Sequence, residues 1–398
     1  MKVNIKSKKS TFTKIYLHNI KDSKHIYFNG LNSLRFFAAL AVIITHIELL
    51  KGSYGLKSSW RNPLFFNLGG LGVYFFFVLS GFLITYLLLV EKEKYETISI
   101  KQFYIRRILR IWPLYFFILI LGFFVLPHFD AFKIEYLQNS FEKHFYSNLI
   151  LYILILPNLA LSMFPAVPNI GQSWSIGVEE QFYIFWPIII SRSKSVIKAL
   201  LIIIFCLISI KIIVISAGTY FSNTSWYKPL KQFVAMSKFE CMSIGGLGAY
   251  FLHINHKILS LLYKPITLFF SIVTSILLIY LTPEKIQDGI HLVYSILFLQ
   301  IILFVAKNSK YTYFDNKLFN YLGKISYGLY MYHFMIIPLC IYVYVNYFNC
   351  ASAITENIII YSSVISTTII ISGVSYNFFE QKFIKLKSNY SPVKSGQT

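Results

Sequence analysis

Long apolar runs separated by short polar segments cover most of the chain. A helix that crosses a bilayer needs about 20 residues, within a range of about 17–25, and eleven runs approach that length. They lie at about 34–50, 70–90, 111–127, 148–163, 175–190, 196–217, 238–254, 265–282, 289–306, 325–347 and 354–379. The pattern predicts an all-α polytopic membrane protein.

The positions of the basic clusters limit how many of these runs span the membrane. Lys and Arg concentrate in cytoplasmic loops, and basic clusters follow the second, fifth, seventh, ninth and last runs. All of them reach one side only if one earlier run does not span. Run 148–163 contains Asn148 and Pro157 and suits a re-entrant or outer-leaflet segment. We therefore predict a bundle of about ten transmembrane helices, with both termini cytoplasmic.

Composition supports this class and indicates a simple domain organisation. Hydrophobic residues form 56% of the chain and charged residues 13%, which excludes an ordinary soluble globule. The net charge of +21 invites a nucleic-acid reading, but the charges lie in short clusters between apolar runs, as expected beside anionic lipid. We predict a membrane domain at 31–381 between basic cytoplasmic tails at 1–30 and 382–398, with no cleavable signal peptide and no appended soluble domain.

Local signals in the first two runs predict how these helices begin and pack. Asn32 or Ser33 is placed to cap the first helix, and Gly52 is placed to end it. In the second run, GGLGVYFFFVLSGFLI (69–84), glycines and a serine alternate with bulky aromatic residues. Small residues let helices approach closely in a membrane, so we interpret this stretch as a packing surface.

Two ionisable residues lie in the first run, LNSLRFFAALAVIITHIELL (31–50). Arg35 and His46 are eleven residues apart, close to three turns, so they share a helix face and are separated by about 16 Å along the axis. Arg35 could snorkel to the headgroups, and His46 could hydrogen-bond to a neighbouring helix. Intramembrane ionisable groups are nevertheless functional candidates, and an imidazole can take up a proton near neutral pH. We predict that His46 is a general base.

Two further charged patterns accompany this helix. FYIRRILRIWPLY (103–115) places Arg107 and Arg110 three residues apart on one face, where they could bind a phosphate-bearing ligand or anchor the helix to headgroups. QSWSIGVEEQFY (172–183) brings Glu179 and Glu180 into an apolar helix, deeper than helix capping requires. A carboxylate of this pair could orient and charge the imidazole of His46. The four cysteines show no metal-ligand spacing, and no metal site is predicted; they are Cys206, Cys241, Cys340 and Cys350.

Taken as an ordered set, these motifs resemble the membrane-bound acyltransferase family 3. The set comprises the Arg35–His46 spacing, GVYFFFVLSGFLI, RRILRIWPLY, WSIGVEEQFY, KISYGLYMYHF (324–334) and YNFFEQKF (376–383). The resemblance covers about residues 31–383. It implies a multi-pass enzyme of the bacterial cytoplasmic membrane that takes an acyl group, commonly acetyl, from acyl-coenzyme A as donor substrate. The acceptor it implies is a hydroxyl on an envelope or exported glycan or a related metabolite, with no permanently bound cofactor.

The resemblance also implies roles for individual residues. The family's essential histidine corresponds to His46 and its paired arginine to Arg35, while the donor-side arginine motif corresponds to Arg107 and Arg110. The family's acidic motif corresponds to Glu179 and Glu180. His333 and Glu380 are assigned to packing and hydrogen bonding. One departure is Tyr74, where many members have an acidic residue, so that a carboxylate of the Glu179–Glu180 pair or the Tyr74 hydroxyl is left to partner His46.

These assignments predict a mechanism and leave rivals from other classes. Coenzyme A phosphates would bind the donor-side arginines, and His46 would deprotonate an acceptor hydroxyl that attacks the thioester directly or through an acyl-His46 intermediate. A proton-coupled transporter or glycan exporter could also bury Arg, His and Glu. The chain shows no internal repeat of the kind that many transporters carry. A catalytically inactive scaffold is the third reading, and the intact His46 argues against it.

Overall fold

The computed structural model describes residues 26–281, 287–307, 316–348 and 352–393. These residues are predominantly helical, and no strand occurs among them. In chain order the helices are α1 (Leu31–Lys51), α2 (Pro63–Tyr95), α3 (Ile100–Ile120), α4 (Glu135–Lys143), α5 (Phe145–Ile153), α6 (Pro157–Met163), α7 (Trp174–Arg192), α8 (Val196–Phe221), α9 (Tyr227–Met236), α10 (Phe239–His253), α11 (Leu259–Leu262), α12 (Pro265–Leu281), α13 (Gln287–Lys307), α14 (Lys317–Lys324), α15 (Ser326–Tyr347), α16 (Ala353–Ser375) and α17 (Gln381–Lys387). Single π-helical turns follow α3 at Leu121–Val125 and α16 at Tyr376–Glu380.

Seven helical segments of the described chain are long and apolar enough to cross a membrane, judged by length and composition. They are Leu31–Tyr54, Pro63–Tyr95, Ile100–His128, Val196–Phe221, Gly289–Lys307, Ser326–Tyr347 and Ala353–Tyr390. Run 148–163 is divided between α5 and α6, which have nine and seven residues. Neither helix alone reaches spanning length. The all-α membrane class is confirmed, while the count of ten spans stays a prediction.

Helix α2 lies at the centre of the bundle because its glycines allow two neighbours to touch its backbone. A Cβ added at Gly72 would lie 2.6 Å from the carbonyl oxygen of Ala38 in α1. A Cβ added at Gly81 would lie 1.9 Å from the carbonyl oxygen of Met242 in α10. Real Cβ atoms do not approach a carbonyl oxygen this closely, so larger residues would push the helices apart. The packing interpretation of stretch 69–84 is confirmed.

The start of α1 differs from the prediction. Gly30, with φ 75°, occupies the N-cap position, and no side chain caps the helix there. Asn32 instead donates from Nδ2 to Asn320 Oδ1 at 2.6 Å and accepts from Arg35 Nη1 at 3.0 Å. The predicted cap at Asn32 or Ser33 is therefore wrong, because the helix already includes both residues. Gly52 follows the last residue of α1 but keeps a right-handed conformation, and a 3-10 turn continues the helical path over Gly52–Tyr54 to Gly55, whose φ is 72°.

The basic segment that begins at residue 382 starts as a helix that packs against the bundle. Residues 382–387 belong to α17, which packs against α3, and Arg106 Nη1 donates to the carbonyl oxygen of Tyr390 at 2.8 Å. Arg106 Nη2 also pairs with Glu91 Oε2 at 3.3 Å. These contacts attach the C-terminal segment to α3. Residues 1–25 and 394–398 of the predicted tails, and Cys350, lie outside the described residues.

Candidate functional site

A cavity of about 310 Å³ opens between α1, α2, α3, α7, α15 and the C-terminal segment. Five cationic and two acidic side chains line it, among aromatic and aliphatic residues. They are Arg35, Arg107, Arg110, Lys324 and Lys387, against Glu179 and Glu380. We call this space the cationic cavity. Its charge balance suits a ligand that carries several negative charges.

The structure brings together the three arginines that the sequence predicts as donor-binding residues. Arg35 is held by its hydrogen bond to Asn32. The guanidinium of Arg107 lies over the rings of Phe103 and Tyr183, at 5.6 and 5.8 Å from their centroids. The buried Nε–H of Arg107 has no hydrogen-bond acceptor among the described residues. A buried donor without an acceptor is costly, so a ligand that supplies an acceptor is favoured there.

The adjacent carboxylates Glu179 and Glu180 point in different directions, because consecutive residues of a helix are about 100° apart. Glu179 lines the cationic cavity and accepts from Tyr183 Oη at 3.0 Å. Since that hydroxyl donates to the carboxylate, it accepts from Ser80 Oγ at 2.5 Å. Glu180 accepts from Trp112 Nε1 at 2.8 Å, and its other oxygen is buried without a partner among the described residues. Neither glutamate has a hydrogen bond to His46.

His46 forms its hydrogen bond with another histidine. Its Nδ1 lies 2.8 Å from His333 Nε2 of α15, and the two ring planes are inclined by only 20° with centroids 5.0 Å apart. Phe334 packs edge-on against the His46 ring, at a centroid distance of 4.9 Å. His333 is fully buried, whereas His46 keeps partial exposure. We call these two residues the histidine pair.

Tyr330 lies between the histidine pair and the cationic cavity. It lines the cavity one helical turn before His333, and its ring centroid is 5.7 Å from that imidazole. Its hydroxyl lies 2.6 Å from Ser175 Oγ and 3.1 Å from the carbonyl oxygen of Gln172. Residues at and just before the start of α7 therefore hold the Tyr330 hydroxyl in place. His46 itself does not line the cavity.

Several residues of the site are ones that sequence reasoning did not place there. His333, assigned to packing and hydrogen bonding, is the direct partner of His46. Lys387, assigned to a cytoplasmic tail, lines the cavity with Lys324. Glu380 also lines it and accepts from Ser375 Oγ at 3.1 Å. Two sequence signals pointed to α15: the single histidine within an otherwise uncharged apolar run, and the motif KISYGLYMYHF (324–334).

Tyr74 lies against a second buried polar cluster. Its ring centroid is 5.9 Å from that of His291 and 5.7 Å from Lys238 Nζ. His291 Nε2 lies 2.5 Å from Glu240 Oε1, which also pairs with Lys211. These contacts place the Tyr74 ring beside α10 and α13.

The same cluster brings one cysteine near metal-binding residue types. Ligand atoms of Glu240, Cys241 and His291 lie within 4.8 Å of one another, which no spacing in the sequence indicated. The ammonium of Lys211 contacts the Glu240 carboxylate and supplies the positive charge that a metal ion would otherwise provide. We therefore interpret this cluster as a buried ion-pair network.

Comparisons with known proteins identify the family of the chain. The acyltransferase domain family known as acyltransferase 3 matches residues 28–377. A Staphylococcus aureus (strain COL) protein, provisionally named as an O-acetyltransferase, is 30% identical over an alignment of 376 residues, and the match covers 92% of this chain and 58% of the relative. The O-acetyltransferase OatA of S. aureus (strain NCTC 8325 / PS 47) is 27% identical over an alignment of 391 residues. This match covers 93% of this chain and 60% of OatA. The chain thus spans about three fifths of these relatives. No solved structure matches it.

Proposed function

Because this chain belongs to the acyltransferase 3 family, we propose that it is a membrane O-acyltransferase that moves an acyl group, with acetyl as the expected one, from acyl-coenzyme A to a hydroxyl. The proposed acceptor is an envelope or exported glycan or a related metabolite. The proposed location is the cytoplasmic membrane of a bacterium, with ten spans, a re-entrant segment at 148–163 and cytoplasmic termini. The observation that carries the proposal is the cationic cavity.

The cavity supports a coenzyme A donor through its charge. Coenzyme A carries a pyrophosphate and a ribose phosphate, and Arg is well suited to bind phosphate through paired hydrogen bonds. Arg107 offers a buried donor without an acceptor among the described residues, and Arg110 lines the same cavity. Lys324 and Lys387 add two basic side chains to its wall. In this arrangement the phosphates bind the basic groups, and the pantetheine arm extends along α1 past Arg35.

His46 is the proposed general base. The acceptor hydroxyl loses its proton to the imidazole, and its oxygen attacks the thioester carbonyl carbon. The C–S bond then breaks, and the coenzyme A thiolate leaves and takes up a proton. An acyl-His46 intermediate would divide the same transfer into two steps. Because Tyr330 stands between His46 and the cavity, the thioester end must pass this ring to react.

The two glutamates receive different proposed tasks. Glu179 lies on the cavity wall, where it fixes the Tyr183 hydroxyl and offsets part of the arginine charge. Glu180 binds Trp112 outside the cavity wall and supports the packing of α7 on α3. The earlier hypothesis that one of them orients His46 is replaced by a role for Glu179 in positioning the donor.

Exchanging each glutamate for glutamine tests this division. Glu179→Gln should lower the Michaelis constant for acetyl-coenzyme A by about threefold to thirtyfold, because the local charge of the arginine cluster rises by one and attracts the anionic donor more strongly. Glu180→Gln should leave that constant within about twofold, since an amide oxygen still accepts from Trp112. Initial rates at varied donor concentration measure both. Equal effects of the two exchanges would contradict the assignment.

Surface glycan chemistry tests the function as a whole. Mass spectrometry of glycans from cells with and without the gene should show acyl groups that depend on the protein. Purified protein in nanodiscs should release free coenzyme A from acetyl-coenzyme A over many turnovers only when an acceptor glycan is added. Unchanged glycan acylation together with altered substrate uptake would refute the acyltransferase and support a carrier instead.

A further inference from the structure

We propose that His333 is a positioning residue that selects the tautomer of His46 and so keeps the reactive nitrogen of that imidazole free of a proton. This inference rests on the proposed function, because it explains how the proposed base is prepared. It concerns a residue of α15 that lies 287 positions from His46 in sequence.

His333 carries its ring hydrogen on Nδ1. Its Nδ1 lies 3.2 Å from the carbonyl oxygen of Leu329, one turn earlier in α15. A carbonyl oxygen can only accept a hydrogen bond, so Nδ1 must carry the hydrogen. His333 is 0% exposed, and a low-dielectric interior disfavours a second proton and the charge it would bring. His333 is therefore neutral, with an unprotonated Nε2.

His46 also carries its ring hydrogen on Nδ1. The 2.8 Å contact joins His46 Nδ1 to His333 Nε2, and His333 Nε2 is now the acceptor. His46 Nδ1 must consequently be the donor. A neutral imidazole carries one ring hydrogen, so the lone pair of His46 Nε2 remains available. No other described residue forms a hydrogen bond with this imidazole, and His46 is the partly exposed member of the pair.

This tautomer leaves His46 able to act as a general base. A general base needs an unprotonated nitrogen aimed at the hydroxyl, and catalytic imidazoles are usually held in the required tautomer by a group on the other nitrogen. Here a neutral imidazole anchored on a backbone carbonyl takes the place of the usual carboxylate. The hydrogen bond to His333 and the contact with the Phe334 ring restrict rotation of the His46 imidazole. His333 thus acts through His46 and does not contact the reacting atoms.

Matched amide substitutions separate this role from simple packing. The amide of Gln can place an oxygen where His333 Nε2 lies, so His333→Gln keeps the acceptor. The amide of Asn reaches only the position of Nδ1, so His333→Asn keeps the contact with Leu329 and loses the acceptor. We expect kcat of His333→Gln within about threefold of the wild type, and a kcat at least about tenfold lower for His333→Asn, with the donor Michaelis constant unchanged in both. Equal activity of the two variants would overturn the proposal.

A spectroscopic measurement reads the tautomer without relying on turnover. In protein labelled with ¹⁵N-histidine and placed in nanodiscs, the His46 signals are those that disappear in His46→Asn. The wild type should show a protonated Nδ1 and an unprotonated Nε2, and His333→Asn should move the proton of His46 toward Nε2. A His46 tautomer that is identical in both proteins would overturn the inference. Absence of acyl transfer by the wild type would instead refute the proposed function and leave this readout intact.

Discussion

Replacing His46 by Asn is expected to lower kcat for acyl transfer by about 10²–10⁴-fold, the usual contribution of a positioned general base. The Asn amide can place an N–H near the position of His46 Nδ1, so the hydrogen bond to His333 is retained while the basic nitrogen is lost. The donor Michaelis constant should change little, because His46 does not line the cationic cavity. Transfer of labelled acetyl from acetyl-coenzyme A to glycan measures both quantities.

The control for this substitution is another histidine. His128 is exposed and lies outside both the histidine pair and the cavity wall, so His128→Asn should keep full activity. Thermal stability of both variants in detergent shows whether either has lost its fold. If His46→Asn inserts, remains folded and still acylates at the rate of His128→Asn, His46 is not the base.

Replacing Arg107 and Arg110 together by Gln is expected to raise the Michaelis constant for acetyl-coenzyme A by at least about 100-fold. A hydrogen bond to a charged group contributes about 1.5–3 kcal/mol, and each 1.4 kcal/mol corresponds to about a tenfold change in affinity. Both side chains line the cationic cavity, so the double substitution removes the charged hydrogen bonds of both arginines to the donor phosphates. Initial rates at varied donor and acceptor concentrations separate the two substrates.

Arg106 is the matched control because it is the neighbour of Arg107 in sequence but has other partners. Its guanidinium binds Glu91 and the carbonyl oxygen of Tyr390. Arg106→Gln should therefore lower thermal stability, since it leaves a buried carboxylate without its cation, and should leave the donor Michaelis constant near the wild-type value. The donor assignment would be wrong if Arg106→Gln weakened the donor as much as the double variant, or if the double variant altered only the acceptor.

The sequence predicted the class of the fold and much of one side of the site. Apolar run length is sufficient for the class, because helices that cross lipid must satisfy their own backbone groups and must be apolar for about 20 residues. The Arg107–Arg110 spacing predicted a shared face because both residues belong to one helix, and both side chains do line one cavity. Gly81 signalled close packing, since only a residue without Cβ permits it.

The remaining features of the site depend on contacts between distant segments. Glu179 and Glu180 are equivalent in a linear reading, and only the packing of α7 against α3 places one on the cavity wall and the other on Trp112. Lys387 resembled any other basic residue of a tail until α17 packed on α3. No local pattern reports such choices, because each depends on which helix becomes the neighbour.

The amino-acid sequence by itself determined that this protein is a helical membrane protein, and it singled out Arg35, His46 and the arginine motif as candidate site residues. Those properties follow from local composition and from the geometry of single helices, which do not depend on long-range contacts. Only the tertiary structure decided that His333 contacts His46 and that the cations surround one cavity. It also placed Tyr330 between the histidine pair and the cationic cavity. These arrangements arise when α1, α7, α15 and α17 pack together, and packing partners far apart in the chain leave no periodic signal in the sequence.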